Sequence, residues 1–178
     1  MSQLAFVFPG QGSQTVGMLQ AMGEQYSLVQ QTFEEASEVL GHDLWSLVKD
    51  GPEERLNQTS ITQPAMLAAD LAVWRIWRDL DGETPTLLAG HSLGEYAALV
   101  AAGALKFADG IRIVSRRGEL MQAAVADGEG AIDIAGHGQV ACTAAPRRDG
   151  DDARQLPGAD GSRQVGRGLI TTGRIALG

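Results

Sequence analysis

A serine between two glycines is the first feature of this sequence that could do chemistry. The stretch "LLAGHSLGEYAAL" contains Gly90-His91-Ser92-Leu93-Gly94. An apolar segment comes before Ser92 and a helix-like, alanine-rich segment follows it. In that setting Gly-x-Ser-x-Gly is typical of a nucleophile elbow, a strand-to-helix turn that exposes the serine hydroxyl. The pattern predicts that Ser92 is a catalytic nucleophile. The alternative is that Ser92 only caps the helix after it.

The same turn would supply electrostatic support for acyl transfer. Free backbone N–H groups at a helix N-terminus and the helix dipole favour negative charge. The N–H of Leu93 is therefore a predicted oxyanion donor. Gly90 and Gly94 are predicted to be required because a tight turn leaves no room for side chains there.

Strands alternating with helices must position this turn. We expect a buried strand at Leu4–Phe8 and a short apolar strand at Thr86–Gly90, with helices between and after them. This order predicts an α/β fold with a mostly parallel sheet flanked by helices.

Capping residues predict where two of the helices begin and end. Ser27 is a plausible N-cap of a helix that stops at Gly41. Thr62 is predicted to cap the next long helix, with Pro64 in its first turn. Trp74 and Trp77 lie on that helix and are expected in the core.

Composition excludes several classes of function. A formal net charge of −8 argues against a nucleic-acid partner. Cys142 is the single cysteine, which excludes an internal disulfide and fits a reducing cytoplasm. The first apolar run is too short for a signal peptide or a membrane span. We therefore expect a cytoplasmic monomer without a membrane partner, and no pattern indicates a metal or a redox cofactor.

The two ends of the chain differ in character. Helical and strand patterns continue to about residue 130, whereas the sequence from Pro146 mixes Gly, Arg and Asp without periodicity and without aromatic residues. Such a segment offers little apolar surface to offset the entropy of ordering. We predict a partial α/β domain at 1–130 and a non-matching tail at 131–178 that is disordered or translated out of frame.

Four motifs together carry a family resemblance: "FVFPGQGSQ", "TQPA", "GHSLGEY" and "RRGELMQ". In this order they resemble the malonyl-CoA:acyl carrier protein transacylases of fatty acid biosynthesis and the acyltransferase domains of polyketide synthases. The resemblance covers roughly residues 1–130. It implies an α/β-hydrolase-like core with an inserted ferredoxin-like subdomain. No sequence of that subdomain is recognisable, so we expect a truncated core.

The resemblance implies a role for individual residues. Ser92 would take a malonyl group from coenzyme A as an ester, and the phosphopantetheine thiol of acyl carrier protein would accept it. The backbone N–H of Gln11 would be the second oxyanion donor beside Leu93. Arg117 would pair with the malonyl carboxylate, which a planar guanidinium can hold bidentately. Without the resemblance, the sequence predicts that Arg117 is a solvated surface residue. Coenzyme A enters as a substrate carrier, and no cofactor is implied.

The catalytic histidine of the family has no counterpart. His42 is expected to be solvated, and His91 is expected to point away from its neighbour Ser92. His137 lies in the part that no longer matches. Because a serine hydroxyl needs a base to become a good nucleophile, the general base stays unassigned.

Two other functions remain open. The elbow also suits a serine thioesterase or esterase, although a hydrolase has no need of the Arg117 carboxylate clamp. The missing histidine instead favours a non-catalytic remnant that binds coenzyme A or carrier protein. Docking of an acidic carrier protein would need a basic patch, for which Arg112, Arg116 and Arg117 are the candidates.

Overall fold

Three strands form the sheet of the computed structural model, which describes residues 4–124 and 140–143. The strands are β1 (Ala5–Phe8), β2 (Leu87–His91) and β3 (Val140–Thr143), in the order β1-β2-β3. β1 and β2 are parallel, and β2 and β3 are antiparallel. The sequence did not predict β3, which lies within the segment expected as a tail. The boundary at residue 130 stays a prediction, and the rest of that segment lies outside the described residues.

Helices fill the long connection between the two parallel strands and follow the second of them. In the described part of the chain they are α1 (Gln20–Gln25), α2 (Ser27–Leu40), α3 (Leu44–Asp50), α4 (Glu53–Leu56), α5 (Thr59–Asp79), α6 (Leu93–Ala101) and α7 (Phe107–Ala123). The long helix α5 packs against α2, α6 and α7. This confirms the predicted α/β class, since parallel strands need such a crossover.

The N-cap of helix α2 lies one residue earlier than predicted. Tyr26 is the N-cap, Ser27 is the first helical residue, and the N-cap makes no side-chain hydrogen bond. The predicted stop is confirmed, because Gly41 takes the left-handed conformation at φ 76°. That conformation strains most other residues, which explains the glycine.

The start of α5 was predicted four residues too late, because Gln58 and not Thr62 is its N-cap. The helix begins at Thr59, so Thr62 and Pro64 lie inside it. The hydroxyl of Thr62 donates back to the carbonyl oxygens of Leu56 and Gln58. A threonine bonded backwards in this way serves the helix interior and cannot cap the N–H groups ahead of it.

The two faces of β1 differ in burial. Phe8 is buried, and Phe6 packs edge-on against Trp74 with ring centroids 5.1 Å apart. Trp74 is buried and Trp77 partly buried, so the core prediction for the tryptophans is confirmed. Val7, on the opposite face, is 67% exposed. The expectation of a buried strand is therefore wrong for one face, since residues alternate between the faces of a sheet.

No helix within the described ranges is both long and apolar enough to cross a membrane. The expected absence of the ferredoxin-like subdomain stays a prediction.

Candidate active site

Ser92 lies at the junction of β2 and α6, as a nucleophile elbow requires. Its backbone has φ 53° and ψ −106°. A non-glycine residue held at positive φ typically costs about 1–3 kcal/mol and persists only where its surroundings enforce it. The turn thus holds Ser92 in a strained conformation at the C-terminal end of the central strand.

Close backbone packing explains the two flanking glycines. A Cβ atom on Gly90 would collide with the carbonyl group of Gly94. A Cβ atom on Gly94 would collide with the carbonyl of Phe8, at the end of the neighbouring strand. The elbow and the loop after β1 are therefore pressed together, and neither glycine can carry a side chain without displacing the backbone.

The hydroxyl of Ser92 binds an arginine rather than the helix. Its Oγ accepts a hydrogen bond of 2.9 Å from Nη2 of Arg117, and Ser92 makes no side-chain cap hydrogen bond to α6. The geometry therefore does not favour the alternative in which Ser92 is only a helix cap.

Arg117 reaches Ser92 from α7 and has a second polar partner. Its Nη1 donates to Oε1 of Gln63 over 2.9 Å, and its Cζ lies 5.9 Å from the centre of the Tyr96 ring. In the described part of the chain, no salt bridge includes Arg117. Arg117 is half-buried, and the partners that the described residues offer its guanidinium are neutral groups.

No role was predicted for Gln63 from the sequence, although the residue lies within the "TQPA" motif. The residue is fully buried, and its Nε2 donates to the thioether sulfur of Met121 at 3.2 Å. A glutamine within the otherwise mostly apolar run that follows the start of α5 was the available signal.

The loop that carries Gln11 begins beside the elbow. Phe8 pairs with Gly90 in the parallel register, so the two strands end side by side. The side chain of Gln11 donates to Thr59 over 3.3 Å. Its backbone N–H remains a predicted oxyanion donor together with that of Leu93, at the start of α6.

A second glutamine fixes the shape of that loop. Oε1 of Gln14 accepts from the N–H of Gly12 at 2.8 Å, and its Nε2 donates to Asn57 at 2.9 Å. Neither Gln14 nor Asn57 was identified from sequence, because side-chain amides that brace a loop have no spacing signature.

The described histidines do not supply a base by direct contact. Nδ1 of His91 lies against Gly10, within 3.2 Å of the place a Cβ atom there would occupy. No hydrogen bond in the described ranges joins His91 or His42 to Ser92, and His42 is exposed. His137 lies outside the described residues. The general base of Ser92 therefore remains unassigned.

A shallow groove of about 500 Å³ runs along α7 beside the guanidinium; it is lined by Arg112, Ile113, Arg116, Arg117, Leu120 and Met121. Two of its arginines are paired on their own helix. Arg112 lies 2.9 Å from Asp109, and Arg116 lies 2.7 Å from Glu119. Arg117 is the third arginine of the groove, and no acid of the described residues forms an ion pair with it.

One carboxyl group near this end of the fold is strongly perturbed. Asp70 follows Gln63 by two turns of α5, and its Oδ2 is buried without a hydrogen-bond partner in the described part of the chain. Burial raises the pKa of Asp70 to about 8. Among the described residues, no group of three or more His, Cys, Asp or Glu side chains is placed to hold a metal ion.

Comparisons with known proteins place most of the chain in one family. Residues 5–152 match the acyl transferase domain family. The malonyl CoA-acyl carrier protein transacylase of Salmonella typhimurium is 57% identical over 132 residues, which are 74% of this chain and 43% of that protein. The chain therefore spans less than half the length of this curated relative.

Two solved structures share the fold. An acyl carrier protein S-malonyltransferase from Vibrio cholerae has 63% identity and a TM-score of 0.69, covering 70% of this chain and 41% of that one. A malonyl-transacylase in complex with a type II polyketide synthase acyl-carrier protein has 58% identity and a TM-score of 0.69, covering 70% and 40%. With the family match over most of its length, the chain belongs to the acyl transferase domain family.

Proposed function

We propose that this chain binds malonyl-CoA and accepts its malonyl group on Ser92 as an acyl-enzyme ester. The ester is then passed to the phosphopantetheine thiol of acyl carrier protein, as a step of fatty acid biosynthesis. The names of the relatives support this substrate and this acceptor. The proposal includes a cytoplasmic location and no cofactor, with coenzyme A as the carrier of the substrate.

The observation that carries the proposal is the 2.9 Å contact between Arg117 and the hydroxyl of Ser92. A malonyl group has its carboxylate one methylene away from the thioester carbonyl. When that carbonyl is at Ser92, the carboxylate lies within reach of the guanidinium. A charge on Arg117 that no described acid compensates favours an acyl group that brings its own negative charge.

The chemical step follows from the placement of the elbow. Ser92 Oγ attacks the thioester carbonyl carbon, and the carbonyl oxygen becomes negative next to the proposed donors, the N–H groups of Leu93 and Gln11. The carbon–sulfur bond then breaks, and coenzyme A leaves as its thiol with the proton lost from Ser92. Attack by the pantetheine thiol reverses these events and frees the serine.

Arg117 also favours the reactive form of the nucleophile. A guanidinium that donates to Oγ stabilises the ionised oxygen more than the neutral hydroxyl. It cannot take the proton, because arginine stays protonated. A base outside the described contacts of Ser92 must do so, and its absence would slow acylation by about 10²- to 10⁴-fold.

A second candidate function is binding of coenzyme A or carrier protein without chemistry. The observation that favours it is that no hydrogen bond in the described ranges joins a histidine to Ser92. A thioesterase or esterase has less support, because water as the acceptor would not require a carboxylate clamp.

Intact-protein mass spectrometry after incubation with malonyl-CoA tests the proposal. We expect a malonyl adduct that maps to Ser92, a much weaker acetyl adduct with acetyl-CoA, and no adduct in Ser92→Ala. Ser27→Ala, which removes an exposed serine on α2, should acylate normally. An equal adduct in Ser92→Ala would show non-specific acylation. A folded chain that binds malonyl-CoA but forms no adduct would overturn the acyl-enzyme and leave the binding function.

A further inference from the structure

The buried amide of Gln63 lies behind the guanidinium, on the side away from solvent. Its side chain is fully buried, and both ends of the amide are used. Oε1 accepts from Arg117 at 2.9 Å, and Nε2 meets the sulfur of Met121 at 3.2 Å. Ser92, Arg117, Gln63 and Met121 therefore form one continuous chain of polar contacts.

Only one orientation of this amide suits its surroundings. Arginine has donors and no acceptor, so the carbonyl oxygen of Gln63 must face Arg117. The amino group then faces Met121, whose thioether is a weak acceptor and cannot compete for the guanidinium. Gln63 thus offers the arginine one fixed, neutral acceptor.

We propose that Gln63 is a positioning residue, which aims Arg117 at the acyl group and so sets the preference for acyl groups that carry a carboxylate. The inference rests on the proposed function and adds to it the residue that directs the clamp. Arginine has a long, flexible side chain, and a clamp is selective only when its direction is fixed by its supports. The neutral amide fixes that direction and leaves the positive charge for the substrate.

A carboxylate at position 63 would have the opposite consequence with nearly the same shape. Gln63→Glu would hold Arg117 at least as firmly, yet it would neutralise the guanidinium and repel a malonyl carboxylate. Gln63→Met would keep the volume and remove the acceptor, so the guanidinium would lose its direction while keeping its charge. A merely structural role for Gln63 would not make these two variants differ in acyl preference.

The test is the affinity of the full chain for malonyl-CoA and for acetyl-CoA, measured by titration calorimetry. The unchanged chain should prefer malonyl-CoA. In Gln63→Glu the malonyl-CoA affinity should fall roughly a hundredfold, because the introduced carboxylate neutralises Arg117 and repels the malonyl carboxylate. In Gln63→Met it should fall roughly tenfold, as expected for a misdirected clamp. Acetyl-CoA affinity should stay within about twofold in both variants, because acetyl does not use the clamp.

The matched control is Gln31→Met, which makes the same change at an exposed position of α2. It should leave both affinities unchanged. If the unchanged chain shows no preference for malonyl-CoA, the proposed function fails and this inference fails with it. If the preference is present and both Gln63 variants keep it, only the inference is overturned. Loss of cooperative unfolding in both variants would also overturn it, since Gln63 would then serve the fold.

Discussion

The two halves of helix α5 each meet an arginine, and the two arginines have different kinds of partners. Arg75, in the C-terminal half, donates to Glu35 at 2.7 Å and to Thr32 at 3.0 Å, and its guanidinium lies 4.7 Å from the ring centre of Phe107. Arg117 approaches the N-terminal half from α7 and finds only the neutral acceptors Gln63 and Ser92.

Under the proposed function, this difference separates an arginine that serves the fold from one that serves a ligand. The charge of Arg75 is compensated within the protein, and its contacts tie α2, α5 and α7 together. The charge of Arg117 is compensated by no acid of the described residues, so an incoming anion gains the full interaction. An arginine held by neutral groups beside a nucleophile therefore indicates the charge of the substrate.

Asp70 lies on α5 between Gln63, the partner of Arg117, and Arg75, and it is a different kind of polar residue. Its buried oxygen has no described partner, and burial raises its pKa to about 8. In the unfolded chain an aspartate titrates near pH 4, so between the two pKa values the folded state binds more protons. The free energy of unfolding therefore falls as the pH rises from 4 to 8 and levels off above 8.

The largest effect that we expect is this pH dependence. Between pH 5 and 7.5 the Asp70 contribution should lower the free energy of unfolding by about 3 kcal/mol. Asp70→Asn cannot ionise and should remove that part of the slope, which urea denaturation at the two pH values would measure. Asp43 gives no such trend in this pH range, since hydrogen bonds from the Ser46 side chain and backbone lower its pKa and it is ionised in both the folded and the unfolded state. Asp43→Asn is therefore the matched control. Parallel pH profiles for the chain and Asp70→Asn would contradict the prediction.

A crossed pair of variants should separate the two arginines. In Arg117→Met the malonyl-CoA affinity should fall about a hundredfold, because the clamp for a buried carboxylate is lost. The free energy of unfolding should change by less than about 1 kcal/mol, since an uncompensated charge is removed as well.

Arg75→Met should give the reverse result. Its free energy of unfolding should fall by about 1–2 kcal/mol through lost packing and hydrogen bonds, with malonyl-CoA affinity within about twofold. Calorimetry and urea denaturation of both variants provide the two measurements. A similar loss of affinity in both variants would show that the two ends of α5 do not differ in role.

The features of the fold and the site that could be predicted from the sequence are those that depend on residues close together in the chain. The α/β class, the Gly41 stop and the strand-to-helix setting of Ser92 follow from spacing and turn chemistry within a few residues. The starts of two helices were misplaced, because Ser27 and Thr62 can cap a helix or lie inside one. Which of these they do depends on contacts made after the chain has turned.

The contacts that build the site are the part that could not be predicted. Gln63 and Arg117 are 54 positions apart in sequence, and Met121 and Gln63 are 58 apart. Nothing local distinguishes Arg117 from Arg116, which precedes it and forms an ion pair with Glu119. The difference arises from the rotation of α7, which turns one arginine toward α5 and the other outward. Position on a packed helix, rather than residue type, assigns the role.

The smallest effect concerns the arginines that α7 turns outward. Arg112 and Arg116 were candidates for docking an acidic carrier protein, but each pairs with an acid three residues away. Exposed pairs of this kind contribute less than about 1 kcal/mol, so removing both arginines should change the free energy of unfolding very little.

Removing both arginines should also leave Asp109 and Glu119 unpaired and slow association with carrier protein about threefold at low salt, with a smaller change at physiological salt. Binding kinetics at two salt concentrations, with Lys49→Ala on α3 as the control for loss of a distant positive charge, would measure this. A large, salt-independent loss of carrier affinity would instead place this outer face of α7 inside the carrier interface, so that the paired arginines, like Arg117, would serve a ligand.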